Sequence, residues 1–142
     1  MNARLLMPIL AGAVLCATPA AAQADIVWLG SSLSGVFVPR GGDSDGFGRM
    51  MMQVDTDTNR VCYTLMASKI ALATTARLQT GASHVGEPIE LPLEVTGTGN
   101  TTCAPANPTL IAGLLNTPQD FYVLVHNRQF PDGALRGRLE RR

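Results

Sequence analysis

The C-terminal stretch constrains the fold more than any other part of the chain. Phe121-Tyr-Val-Leu-Val-His126 is followed by Asn127-Arg-Gln-Phe-Pro131-Asp-Gly133 and then by Ala134-Leu-Arg-Gly-Arg-Leu139. Phe121, Val123 and Val125 alternate with Tyr122, Leu124 and His126, and this spacing predicts a strand with both faces buried. Pro131-Asp132-Gly133 predicts a turn: Pro fixes φ, Asp can bond nearby backbone, and Gly tolerates positive φ. Leu135, Gly137 and Leu139 share one face of the next strand; Arg136, Arg138 and Glu140 share the other. A strand covered on both faces belongs in the middle of a sheet or sandwich, so earlier segments must pack around it.

The N-terminus carries an export pattern rather than a fold element. Met1 to Arg4 is short and positive, Leu5 to Cys16 is almost wholly apolar, and Ala20 to Ala24 offers small residues for a signal peptidase. The apolar run is shorter than the roughly 20 residues that span a bilayer, so residues 1–24 read as a cleaved signal peptide. Leu15 stands before Cys16 where a lipoprotein site takes a small residue. The remainder, 25–142, is long enough for a single domain with its own core. It is expected in the periplasm or outside the cell, with no transmembrane segment after cleavage.

Charge excludes some partners. The chain balances 11 basic against 11 acidic residues, and losing Arg4 leaves it slightly negative, so nothing steers it globally to nucleic acid or a membrane. Arg128, Arg136, Arg138, Arg141 and Arg142 nevertheless cluster at the end. They read first as a solvated face whose charges block edge aggregation, and second as a weak site for an anionic partner. Cys62 and Cys103 survive cleavage. An even count in an exported chain predicts a disulfide, against two buried thiols or a thiolate metal site without CxxC spacing.

Asp25 to Phe37 predicts one strand or two short ones, with Trp28 as a core residue. Pro39 to Gly46 reads as an open turn, and its Asp43 and Asp45 as solvated rather than cation-holding. Gly48 to Val54 and Val61 to Leu65 predict strands around Asp55-Thr-Asp57-Thr-Asn59-Arg60. That spacing lacks the Gly and Glu of a calcium loop, having Arg60 and Met66 instead, so it reads as a hairpin turn. Ile70 to Thr75 reads as a connection, Ala76 to Gln79 as a short strand, and Gly86-Glu87-Pro88 as a turn. Ile89 to Val95 alternates strictly, with Pro92 placing it on an edge or bulge. Gly97 to Ala106 reads as a polar loop carrying Cys103. Asn107-Pro108 predicts an N-cap and first turn, and Leu110, Ile111, Leu114 and Leu115 predict a helix from Pro108 to Asn116. Many short strands and one short helix predict an all-β fold, an antiparallel β-sandwich.

Catalytic chemistry finds little to work with. His84 and His126 are the two histidines, and a catalytic metal usually takes three protein ligands. A lone His inside an apolar strand reads as buried and bonded to nearby backbone. There is no G-x-S-x-G, P-loop or G-x-G-x-x-G, so no enzyme is predicted and no cofactor is implied. Arg136 and Arg138 leave the same strand face: if that face is solvent they protect an edge, and if it is sheltered each needs a partner, with Asp120, Asp132 and Glu140 nearby in sequence.

Asp120 to His126, then Phe130-Pro-Asp-Gly-Ala-Leu-Arg136-Gly-Arg-Leu139, resembles the closing signature of CHRD domains, named for chordin. His126, Pro131, Gly133, Arg136 and Gly137 carry that motif. The family keeps the first arginine and commonly has Gln at the second, so the resemblance implies a structural Arg136, paired with a carboxylate or with strand-end carbonyls, and a free surface charge at Arg138. Leu33-Ser-Gly35, Val61-Cys-Tyr63-Thr-Leu65, and Ala76-x-Leu78-x-x-Gly81 with Pro88 follow the family order upstream. The resemblance implies a Greek-key sandwich like that of superoxide dismutase and a non-enzymatic module that binds a protein or another envelope component. It also exposes a departure. The family commonly has Ala-His-Ile-His-x-Gly where this chain has Ala76-Arg-Leu-Gln-Thr-Gly81, so two histidines of a possible ligand set are replaced by Arg77 and Gln79. The competing reading, from another class, is a metal-binding redox protein using His126 and His84 with a carboxylate. A purely structural surface protein is the third.

Overall fold

The computed structural model describes residues 26–81 and 91–142. The predicted signal peptide, His84 and the Gly86-Glu87-Pro88 turn lie outside them. Nine strands are seen among the described residues: β1 (Ile26–Ser34), β2 (Phe47–Asp55), β3 (Arg60–Ser68), β4 (Ala73–Thr80), β5 (Leu91–Leu93), β6 (Thr102–Pro105), β7 (Phe121–Asn127), β8 (Leu135–Arg138) and β9 (Glu140–Arg141). One helix, α1 (Pro108–Asn116), precedes β7. The all-β class with a single short helix is therefore as expected.

Hydrogen bonding joins the strands into one antiparallel sheet, in the order β5-β4-β7-β8-β1-β2-β3-β6, with β9 also pairing β1. The sheet curls. Leu29, Met52, Val61, Leu78, Val123 and Leu135, from six different strands, all meet in one core. The chain leaving β5 reaches across to β3: Thr96 N donates to Leu65 O (2.9 Å), and Leu65 N donates to Thr96 Oγ1 (3.0 Å). Tyr63, inside the core, reaches the same segment through its hydroxyl, which accepts from Glu94 N at 3.0 Å. Where a sandwich of two sheets was expected, hydrogen bonding gives one continuous curled sheet.

The β2–β3 hairpin forms because Asp55 accepts from the Asp57 and Thr58 amides, closing the turn that the Asp-Thr-Asp run predicts. Helix α1 starts where Asn107 Oδ1 accepts from Leu110 N at 2.8 Å, with Pro108 in its first turn. Its Leu110, Ile111 and Leu114 enter the core. Cys62 and Cys103 are directly opposite on β3 and β6 and are bonded to each other.

Several expectations are corrected. Trp28 is 46% exposed; Leu29, Ser31 and Leu33 take the inner face of β1, and strict alternation puts Trp28 outside. Within the expected polar loop, Thr102–Pro105 pairs with β3 as β6, brought there in part by the disulfide. Strand β4 begins at Ala73, inside the segment read as a connection, and runs to Thr80, past an irregularity between Ala73 and Thr75. Pro92 does lie on a strand at the end of the sheet.

Candidate functional site

Alternation on β7 sends Phe121, Val123 and Val125 into the core and Tyr122, Leu124 and His126 to the outer face of the sheet. Register aligns the neighbours in rows. Gln79, Tyr122 and Arg138 stand side by side across β4, β7 and β8; Arg77, Leu124 and Arg136 form the next row; Thr75 and His126 the third. The outer face is therefore a patch of guanidinium groups, an amide, a phenol and an imidazole around one leucine.

Loops roof part of it. Asp43 N donates to Ala134 O (2.9 Å), tying the segment after β1 to the segment before β8. Val38 and Leu124 are both buried and converge on Gly133. The turn itself closes where Gly133 N donates to Phe130 O at 3.1 Å, with Pro131 and Asp132 between. Asp132 pairs with Arg40 at 3.6 Å, both exposed, and so is not the partner of Arg136.

His126 sits beneath this turn, 4% exposed, with Nδ1 3.0 Å from Pro131 O. A carbonyl accepts only, so Nδ1 carries the proton, leaving Nε2 as a buried acceptor without a donor. Burial pushes the imidazole below its usual range and the Arg77 charge adds to this, while Pro131 O and Asp132 oppose it.

Arg136 lies over the Tyr122 ring, 3.7 Å from its centre, and donates from Nη1 to Phe37 O at 3.2 Å. Arg138, 5.4 Å from the same centre, donates from Nη2 to the Tyr122 hydroxyl at 2.8 Å. The expectation of a free Arg138 is thus corrected: register sets it opposite Tyr122, within reach of the phenol. That hydrogen bond, with the two positive charges, draws the phenol below its ordinary pKa. Edge protection is corrected as well, because β8 lies inside the sheet between β7 and β1. A groove of about 520 Å³ opens beside these groups, lined by Ser32, Phe37, Tyr122, Arg136, Arg138 and Glu140.

Polar atoms left without partners concentrate here. Arg77 Nε, both amide atoms of Gln79, His126 Nε2 and Arg136 Nε are all buried and unbonded. Among the described residues no ion pair engages Arg77, Arg136 or Arg138. The patch spans the whole of the C-terminal hairpin and the strand that replaces the His-x-His pair, and the matching family model covers residues 29–139 of the 142. The chain belongs to the CHRD domain family. Among curated proteins and solved structures no match is found.

In this CHRD domain the candidate ligand set is altered in kind. Arg77 and Gln79 share the outer face with His126, so a cation beside the imidazole would meet a guanidinium charge. Among the described residues no group of three or more His, Cys, Asp or Glu is placed to hold a metal ion. These residues do not fit a copper or zinc centre. Sequence reasoning singled out the arginines and His126 but missed Tyr122, Phe37 and Ser32. Tyr122 alternates with the core residues of β7, which marks its face. Its meeting with the arginines depends on the register set by a long turn, and no residue pattern states that register.

Proposed function

We propose that this CHRD domain is an exported, non-enzymatic binding module whose recognition surface is the outer face of β4, β7 and β8. The single observation that carries this reading is the pair Arg136 and Arg138, gathered on Tyr122 beside an open groove with hydrogen-bonding capacity left over. Stacked guanidinium groups and an aromatic ring supply recognition chemistry. They offer no activated nucleophile and no acid–base pair within reach of one another. The Cys62–Cys103 bond suits an oxidising compartment, and CHRD domains are typically extracellular. The N-terminal apolar segment supplies the route, through a signal peptide ending at Ala24.

The partner is a protein or another component of the envelope or medium. The test is capture from native envelope extract or culture medium by the immobilised domain, alongside a Tyr122→Ala variant shown to remain folded at the temperature of the assay. Enrichment by the native domain and its loss in the variant is the expected result. Equal capture by both, or by neither, overturns the reading.

A further inference from the structure

Two arginines that share one aromatic ring without a carboxylate between them need an explanation. Their charges repel, and the usual reason for charged residues on a strand, protection of an exposed edge, does not apply inside the sheet. Each guanidinium spends one nitrogen on a neutral acceptor, Phe37 O or the Tyr122 hydroxyl. Arg136 also meets the Tyr122 hydroxyl, and among the described residues no carboxylate pairs with either guanidinium. Arg77 adds a third positive charge two strands from Arg136 in the same row. Gln79, next to Tyr122 in the other row, is 0% exposed with its whole amide unpartnered.

Resting on the binding-module reading, we propose that the groove beside Tyr122 takes a carboxylate carried next to an apolar group. The carboxylate accepts from Arg136 and Arg138, whose planar donors suit two oxygens in one plane. The apolar part lies on Phe37, which is 55% exposed and lines the same groove. Glu140 forms another part of the wall and decides between anions: it tolerates one negative charge beside two arginines better than the two of a phosphate dianion. Asp120, whose charge also acts on Arg138, works in the same direction. Volume agrees, since about 520 Å³ holds a compact organic acid or one acidic side chain with its neighbour.

Titration calorimetry at low ionic strength tests this with benzoate, acetate, inorganic phosphate and an end-capped peptide alternating Glu and Phe. Benzoate should bind saturably and more tightly than acetate or phosphate. Arg138→Gln, on the solvent side of the groove, should weaken benzoate by about tenfold or more, and Phe37→Ala should erase the preference for benzoate over acetate. Peptide tighter than benzoate assigns the carboxylate to an acidic protein segment; the reverse order assigns it to a small organic acid. Phosphate binding tighter than benzoate, absence of saturable benzoate heat, or an unchanged affinity in well-folded Arg138→Gln overturns the proposal. If benzoate fails while Tyr122-dependent capture persists, only the ligand class falls. Loss of that capture defeats the module reading itself.

Discussion

Arg136 and Tyr122 lie on adjacent strands, two residues out of direct register and so on the same face, and stack with the guanidinium carbon 3.7 Å from the ring centre. The arginine is held on its other side by the Phe37 carbonyl. Removing it costs a stacked cation and a charged hydrogen bond, so Arg136→Gln should destabilise by about 1–2 kcal/mol. Arg138 bonds the phenol hydroxyl, lies farther from the ring than Arg136 and is exposed, so Arg138→Gln should move the denaturation midpoint much less. Equal shifts in a urea titration would show that the two arginines carry the same structural weight.

Acid should weaken the fold through His126. Its imidazole is held neutral, below the 6.5 of a free histidine, chiefly by burial. As pH falls through 6.5 the unfolded chain takes a proton that the folded chain refuses, so the unfolded state binds more protons and stability drops. The contribution is whole above 6.5, declines below it, and stops declining at the folded-state value. Asp55, also depressed, acts only near the carboxylate range. Unfolding midpoints at pH 7.5 and 5.5 should therefore differ, and His126→Gln should remove much of the difference. An unaltered difference would assign the acid sensitivity elsewhere.

Truncating the same ring to His126→Ala opens a cavity beneath the Pro131 turn and deletes the Nδ1 hydrogen bond. A loss of about 1–3 kcal/mol is expected at neutral pH. Chemical denaturation reads it directly; an unmoved midpoint would mean that the turn collapses onto the strand at no cost.

Gly137 packs closely against β1. A Cβ there would collide with Ser31 Oγ and the Ser32 carbonyl, and the latter is backbone that cannot turn aside. Gly137→Ala should cost about 2–3 kcal/mol through overpacking, whereas Gly41, with open space around its Cβ position, pays only for its positive φ of 84°. Thermal melts of the two variants compare them; a milder effect at Gly137 would show that the strands can part.

The disulfide closes a separation of 41 residues. On chain-entropy grounds its loss costs about 4 kcal/mol, and β6 should be the first strand to leave, because only its pairing with β3 holds it to the sheet. Hydrogen exchange on the Cys62→Ser/Cys103→Ser variant should show early loss of protection at Thr102 to Pro105. Uniform loss across the sheet would contradict this.

Local chemistry was legible in the sequence wherever it was self-contained. The β2–β3 turn and the start of α1 each depend on one side chain bonding backbone two or three residues away, Asp55 and Asn107. The two buried faces of β7 were legible from composition alone. Trp28 was misread because Gly30, Ser31 and Ser32 hide the alternation that Leu29 and Leu33 set. Strand β6 was missed because its partner is 41 residues away and its own residues have no strong β preference. The candidate site was half visible: the arginines and His126 stood out by type, but their company did not. Gln79 meeting Tyr122 and Arg138 is a product of register across three strands, which the residues of no single strand encode.

The adjacency of β1 and β9 has a consequence for architecture beyond this domain. Gly30 stands opposite Glu140, and Arg142 N donates to Trp28 O at 3.0 Å. The path into the sheet and the path out of it therefore lie side by side. A unit built this way can be spliced into a surface loop of a host protein, or strung in tandem with copies of itself, without prising the host's flanking segments apart.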